Sequence, residues 1–457
     1  MKIVIVGDGK VGYTLTKQLS QEGHDVVVID NDQQVLQQSM EALDVFVIHG
    51  NGATLSVQQE AEVGQSDLLI AATSGDEINL LCCVLAKKLG CKHTIARVRN
   101  PDYAQQLTLL REDLGLSMTI NPERTAAHEI FRLLQFPSFL KRDTFCRGRV
   151  ELVELKIKEG SPLAGVQLKD LHKATGVNVL VCAVDRGGQV TIPVGDFRLE
   201  LGDKITVTAA NTGLAKMMSN LRLSAQKVRD VIIIGGGRIS AYLAKMLLNT
   251  GVRVKIIEQN MEKCRSLSEA LPGAIIICGD GTSQELLYSE GITETDAVIP
   301  LTNMDEENII ISLYSDYMGV PKSITKISRV EYEAVFRDRG LGSVVSPKLL
   351  TANDIVGYVR AMKQSTASSM LSLYRLCDGQ AEALEFVALE GTHHLGVPFK
   401  DVQLRSNLLV ACINRGSDVI IPKGNDCILA GDNVVVVTTA EQTISTLNDI
   451  FAPEVAQ

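Results

Sequence analysis

Met1-Lys2-Ile3-Val4-Ile5-Val6-Gly7-Asp8-Gly9-Lys10-Val11-Gly12 opens the chain, and its reading decides the fold. Ile3–Val6 is continuously apolar and β-branched, the pattern of a strand covered on both faces. Three glycines follow at G-x-G-x-x-G spacing, and a helical stretch runs on toward Gly23. A second apolar strand, Val26–Ile29, closes on Asp30. Strand, glycine turn, helix and strand make a βαβ unit, whose strands are parallel. Further strands at Val45–Ile48, Leu68–Ala71 and Thr94–Val98 alternate with helical stretches. A doubly wound parallel sheet is predicted.

The unit occurs twice, at a spacing of about 228 residues. Val231–Gln259 repeats the strand, glycine turn, helix and strand, with Glu258 in the place of Asp30. Gly50-Asn51-Gly52-Ala53-Thr54 matches Gly279-Asp280-Gly281-Thr282-Ser283, and Arg97 falls opposite Lys326. The segments that follow also match. Gly165–Asp170 resembles Gly396–Asp401, and Asp185–Pro193 resembles Asn414–Pro422. They are strand-rich, with Gly/Asp turns and one short helix near Val166–Lys173. The fold class is therefore α/β: two Rossmann-like doubly wound parallel-sheet domains, each followed by a small α+β C-terminal domain. The expected divisions are 1–140, 141–226, 227–372 and 373–457.

Each part of the glycine turn has a physical task. Gly7 permits the tight turn, Gly9 lets the backbone approach a pyrophosphate, and Gly12 lets helix and sheet pack closely. The helix N-terminus offers free N–H groups and partial positive charge. Asp30 is placed to accept hydrogen bonds from ribose hydroxyls and to repel a 2′-phosphate, favouring NAD(H) or another adenosine nucleotide over NADP. The second turn reads Gly235-Gly236-Gly237-Arg238-Ile239-Ser240, with Ser240 at the third glycine position. Binding there stands against a purely structural role, with Arg238 reaching either a phosphate or solvent.

Asn51 lies where such a sheet places the adenine edge, or it is a turn former beside glycine. Thr73 and Ser74 follow the fourth strand and face the same crevice. Arg97 ends the fifth strand and is a candidate phosphate contact, whereas Arg99 reads as a surface salt bridge. Asp76 and Glu77 read as helix N-terminal charge. The candidate set is Gly7, Asp8, Gly9, Lys10, Val11, Gly12, Asp30, Asn31, Asn51, Gly52, Thr73 and Arg97 in the first copy. In the second copy it is Gly235, Gly237, Arg238, Glu258 and Asp280.

Bulk properties narrow the function. The chain has 457 residues, 45% apolar and 22% charged, an ordinary globular composition for more than one core. With 45 basic and 54 acidic residues it lacks the charge of a nucleic-acid binder. No apolar run approaches the roughly 20 residues that span a membrane, and the N-terminus has no signal-peptide layout. The ten cysteines include no CxxC pair, which suits the reducing cytosol, and Cys182, Cys278 and Cys412 read as buried thiols. His24 reads as exposed in a turn, His128 as helical, and His393-His394 as a loop pair rather than metal ligands. No catalytic or metal-ligating constellation of a dehydrogenase is evident.

With its doubled architecture and these motifs, the sequence resembles the TrkA family of potassium-uptake regulators across essentially the whole chain. Met1–Gly12, Val28-Ile29-Asp30, Gly50–Thr54 and Thr94-Ile95-Ala96-Arg97-Val98 carry the likeness. The resemblance implies a cytoplasmic subunit, peripheral to the inner face of the cell membrane. It implies a homo-oligomeric, tetrameric ring beneath a Trk-type integral-membrane K⁺ transporter. It further implies that NAD(H) and ATP/ADP occupy the crevice and that their exchange moves the ring. Gly7, Gly9, Gly12 and Asp30 would take the phosphate and ribose roles, Asn51 the adenine side, Thr73 a wall, and Arg97 a phosphate. Two departures stand out: Ser240, and Asn51 where many members have Asp. Two other readings remain: an NAD-dependent oxidoreductase, and a soluble nucleotide sensor for a different partner.

Overall fold

A computed structural model describes all residues except 136–138, 211–212, 222–226, 330–341, 363–367 and 453–457. The first unit runs β1 (Lys2–Val6), α1 (Lys10–Gln21), β2 (Asp25–Asp30), α2 (Gln33–Ala42), β3 (Phe46–His49), α3 (Leu55–Glu60), β4 (Leu68–Ala71), α4 (Asp76–Leu89), β5 (His93–Arg97), α5 (Pro101–Leu110) and β6 (Met118–Ile120). Its sheet order is β3-β2-β1-β4-β5-β6. The paired strands are parallel, with Val4 beside Val27 and Leu69. Ile3, Val4 and Ile5 are wholly buried because helices cover both faces.

Helix α1 buries Val11, Leu15 and Leu19, spaced four residues apart on one stripe. It ends in a Schellman turn: Gly23 has φ +75°, and the His24 N–H donates to Leu19 O at 3.2 Å. The residue after such a glycine packs back on the helix. His24 is accordingly 5% exposed, which corrects the expectation of a solvent-facing ring, and its counterpart Val252 is also buried.

After α6 (Pro122–Gln135) comes a small unit: β7 (Lys141–Phe145), β8 (Val150–Lys156), α7 (Leu171–Thr175), β9 (Val179–Arg186), β10 (Gln189–Thr191), β11 (Lys204–Ala209) and α8 (Gly213–Asn220). Its sheet order is β10-β9-β11-β8-β7, with antiparallel pairs. The second large unit comprises β12 (Asp230–Ile234), α9 (Arg238–Asn249), β13 (Arg253–Glu258), α10 (Met261–Ala270), β14 (Ile275–Cys278), α11 (Gln284–Ser289), β15 (Ala297–Pro300), α12 (Asp305–Tyr317), β16 (Lys322–Lys326) and β17 (Ser343–Val345). Then follow α13 (Pro347–Met362), β18 (Ser368–Leu376), β19 (Ala381–Ala388), β20 (Leu408–Arg415), β21 (Asp418–Ile420) and β22 (Asn433–Thr439). Orders β14-β13-β12-β15-β16-β17 and β18-β19-β22-β20-β21 reproduce the first pair of sheets strand for strand. The α/β tandem predicted from the repeat is thus observed.

The two halves exchange helices. Helix α6 packs Ala126, Ala127, Ile130 and Leu133 against the second large sheet, alongside Leu243 and Ile256. Helix α13 packs Ile355, Val356 and Val359 onto the first, alongside Ile3, Leu15 and Leu19. Each fully buried Ile, Leu or Val side chain among them contributes roughly 1.5–3 kcal/mol. At the end of α13, buried Arg360 donates to Glu22 Oε1 at 2.7 Å and to Glu382 Oε2 at 2.8 Å, joining the first large unit to the second small one. The small sheets share a core that includes Phe145, Cys182, Leu376 and Cys412. No helix among the described residues is long and apolar enough to cross a membrane.

Candidate nucleotide site

Both crevices open at the carboxyl ends of the parallel strands, where α1 and α9 begin. Neither helix has a side-chain cap or an acidic residue in its first turn. By contrast, Asp32, Asn260 and Ser283 cap the neighbouring helices α2, α10 and α11. Among the described residues, the two helix starts that face the crevices therefore have no side chain bonded to their first-turn N–H groups.

The glycines differ in what requires them. Gly7 has φ +95°, and a Cβ there would lie 2.8 Å from Thr73 N. A Cβ on Gly12 would lie 1.8 Å from Gly7 O. Both are needed by the chain itself. Gly9 is different: its backbone is extended, and a Cβ would meet nothing within 4 Å among the described residues beyond its chain neighbours. The same holds for Gly237. Space is left open at these two glycines alone of each triplet, which suits close approach by a ligand rather than by protein.

Asp30 Oδ2 accepts from Asp8 N at 2.6 Å and Oδ1 from Asp32 N at 2.9 Å. Glu258 does the same with Gly236 N and Asn260 N, both at 2.8 Å. The longer acid needs room, and the sequence supplies it. A Cβ on Gly236 would lie 3.0 Å from Glu258 Oε2 and 2.5 Å from Leu267 Cδ1. In the first copy the shorter Asp30 allows Asp8, which is 2% exposed and accepts a hydrogen bond from Ser39, the counterpart of Leu267. Asp8 therefore meets the crevice only through its backbone. Burial, with Asp30 adding to it against the Ser39 bond, pushes its carboxyl up to about 6.

Ser240 is fully buried and its hydroxyl donates to Gly235 O. The second turn accommodates the added side chain by bonding to the very carbonyl that excludes a Cβ in the first. Arg238 and Lys10 open their helices; Val11 is buried against the sheet. Asn51 Oδ1 accepts from Ala53 N at 3.0 Å, and Asp280 Oδ1 from Thr282 N at 2.9 Å. Both are exposed turn formers at the rim. Gly52 follows Asn51 and Gly281 follows Asp280; a Cβ would lie 2.3 Å from Val6 at the first and 2.3 Å from Ile234 at the second. Asn31 O lies 3.1 Å from His49 Nε2.

A buried asparagine in each copy organises the opposite wall. Asn79 accepts from Thr73 N and Oγ1 at 2.8 and 2.7 Å and donates to Thr73 O and Arg97 O at 3.2 and 2.9 Å. Asn308 repeats this on Thr302 and Lys326. Sequence reasoning missed both, although their recurrence after Asp-Glu in each repeat was a usable signal. Asp76 Oδ2 accepts from Arg99 N at 2.8 Å and Asn100 N at 2.7 Å, and Asp305 matches it on Ser328 and Arg329. These acids hold the loop after the fifth strand, a tighter role than helix-end charge. The Arg99–Asp76 pair, at 3.4 Å, is largely buried rather than a surface bridge.

Arg97 pairs with Glu123 at 3.4 Å, while its buried Nε has no hydrogen-bond partner among the described residues. Burial lowers its pKa, which Glu123 partly opposes. Such an orphaned donor at the crevice suits an anionic group. Its counterpart Lys326 donates to Thr302 O at 2.7 Å. Burial lowers the Lys326 pKa, and Lys10 of the first copy adds to the effect. Cys278 corrects a second expectation: it ends an edge strand and is exposed, while Cys182 and Cys412 are buried. Among the described residues no His/Cys/Asp/Glu cluster could hold a metal ion.

Comparison with known proteins agrees with this architecture. The TrkA-N domain model matches residues 3–122 and 231–347, and the TrkA-C domain model matches 152–222. The chain is 34% identical to the Trk system potassium uptake protein TrkA homolog of Archaeoglobus fulgidus, over 99% of this chain and 100% of that one. Among solved structures, the GsuK channel bound to NAD shares the fold, with a TM-score of 0.62 at 20% identity over 96% of this chain and 77% of that chain. The GsuK RCK domain does likewise, with a TM-score of 0.62 at 19% identity over 96% and 92%.

Proposed function

Since the chain belongs to the TrkA family, we propose that it is the nucleotide-binding regulatory subunit of a Trk-type potassium uptake system. On this reading it is cytoplasmic, works at the inner face of the membrane as a homo-oligomeric ring, and gates the K⁺ transporter in response to NAD(H), ATP or ADP. It regulates and does not catalyse. The single observation that carries the reading is the open space at Gly9 and Gly237, beside carboxylates that end the second strand of each unit. The GsuK channel, which shares the fold and has been solved with NAD bound, supports the ligand class.

In the first crevice, the α1 N–H groups beside Gly9 would hold a pyrophosphate, and Asp30 a ribose. Asn51 would stand at the adenine side, and Arg97 would meet the outer phosphate. Glu258, Gly237 and Arg238 would act alike in the second, with Asp280 at its rim. The swapped helices α6 and α13 give a coupling route, because each packs on the other half's nucleotide sheet. A ligand shifts such an assembly only by its difference in affinity between two arrangements. The four-domain division near residues 140, 226 and 372 belongs to the same proposal.

Calorimetry on the purified chain tests it. NADH, ADP or ATP should bind at micromolar levels, and Asp30→Ala combined with Gly9→Val should remove binding at the first site. Absence of binding by all three would sink the reading.

A further inference from the structure

Two thiols meet at the carboxylate end of the second crevice. Cys264 lies in the opening turn of α10 and is buried, whereas Cys278 ends β14 and is exposed. Their sulfurs hydrogen-bond to consecutive carbonyls. Cys264 Sγ donates to Glu258 O at 3.2 Å, and Cys278 Sγ donates to Gln259 O at 3.8 Å. The two thiols are close enough to act on each other electrostatically. The strand register sets Cys278 directly beside Glu258. The first copy carries Leu36 and His49 at the equivalent positions, so the pair belongs to the second crevice alone.

We propose that Cys264 and Cys278 are a redox-active pair that a hydroperoxide closes into a disulfide at the rim of the second crevice. The Cys278 sulfur attacks the peroxide oxygen, the O–O bond breaks, and an alcohol (water, for hydrogen peroxide) leaves. Cys278 is then a sulfenic acid. The Cys264 sulfur attacks it, the S–S bond forms, and the hydroxyl departs as water. Two electrons pass from the sulfurs to the peroxide, and both thiol protons end in the released water and alcohol.

Access assigns the order. Cys278 is the exposed thiol of the described cysteines, so it meets the oxidant first. Burial, with Cys278 next to it, pushes the Cys264 thiol up to about 11 and keeps it protonated until needed. The neighbour's part of that effect disappears once Cys278 becomes an uncharged sulfenic acid. A second pair, Cys146 and Cys412, lies in the core shared by the two small sheets, 2% and 0% exposed and closed to an oxidant.

The disulfide would tie α10 to β14 across residues 258–260. Glu258 would then be held on Gly236 N and Asn260 N and could not turn to a ribose. This consequence, unlike the disulfide itself, rests on the proposed nucleotide function.

The test uses the full chain, reduced, treated with hydrogen peroxide and trapped with N-ethylmaleimide, then mapped by non-reducing peptide mass spectrometry. A Cys264–Cys278 linked peptide is expected, reversible by dithiothreitol and absent from C264S and C278S. Over-oxidation of Cys278 with Cys264 still free, or a Cys146–Cys412 link in its place, would overturn the pair. NADH and ADP titrations of reduced and oxidised protein then read the consequence. One class of sites should weaken by roughly tenfold, the scale of ordinary coupling between sites, and C264S should abolish the change. Equal affinities in both forms overturn the coupling. If neither form binds nucleotide, the functional proposal fails while the linked peptide still decides the redox pair.

Discussion

Gly9→Val separates what the fold needs from what a ligand needs. Gly9 has φ −67° and ψ −169°, an extended conformation open to any residue, and, its chain neighbours apart, no atom of the described residues lies within 4 Å of a Cβ placed there. Valine is a poorer helix cap than glycine, at a cost of about 0.5–1 kcal/mol. It also restricts the unfolded chain, which returns about 0.4–1 kcal/mol. Stability should therefore change by less than about 1 kcal/mol. Binding should not survive. A branched side chain in that space keeps a pyrophosphate off the α1 N–H groups, and each lost charge-assisted hydrogen bond is worth about 1.5–3 kcal/mol. Losing one or two weakens the first site by about 3 kcal/mol, or roughly 150-fold. Gly12→Ala is the contrast. Its Cβ would sit 1.8 Å from Gly7 O, so the turn must shift, with overpacking costing about 1–3 kcal/mol. Urea unfolding and nucleotide calorimetry on both variants read the two effects. The reasoning is refuted if Gly9→Val binds like the unmodified chain, or if it destabilises as much as Gly12→Ala.

Three further outcomes follow from other residues. Asn79→Ala should destabilise by about 2–4 kcal/mol in urea unfolding, because it orphans buried groups of Thr73 and Arg97. Arg360→Met should cost about 3–5 kcal/mol by the same measurement, since Glu22 and Glu382 lose their nearer shared cation and keep only Arg375, at 4.0 and 3.8 Å; a neutral result would show that the Arg360 bridge between halves is dispensable. Asp8→Asn should alter the pH dependence of stability. The Asp8 carboxyl is raised from 3.8 to about 6 in the fold, so the folded state binds the extra proton between those values and stability falls as pH rises through them. The advantage of Asp8→Asn over the unmodified chain should therefore grow from about pH 4 to pH 7 in denaturant titrations, and a constant difference would argue against a raised carboxyl.

Much was legible in residues 1–30, because glycine spacing and β-branched runs are local. An apolar run flanked by helical stretches can be satisfied only by burial on both faces, and a glycine triplet before a helix has few other uses. The tandem repeat was equally legible, since matched turns and strand-ending acids recur along the chain. The roles of Asn79, Asn308 and Asp76 are not legible locally, because each also bonds the end of the neighbouring fifth strand or the loop after it, 18–24 residues on. His24 and Cys278 were misread for a related reason. Burial depends on a helix-end turn and on which strand lies at an edge, and neither is stated by the residue or its immediate neighbours.

Sequence alone determined the two α/β units, the small strand-rich unit after each, and the carboxylates Asp30 and Glu258 at matching places. Those features follow from local preference and periodicity. Tertiary structure decided which half each connecting helix completes, and that α6 and α13 trade places. An apolar helix face has no address: Ile130 and Ile355 must be buried, yet their hydrophobicity does not specify against which sheet. It also decided that Gly236 makes room for Glu258 while Asp8 is turned onto Ser39. Such compensation exists only when atoms from three elements share one volume.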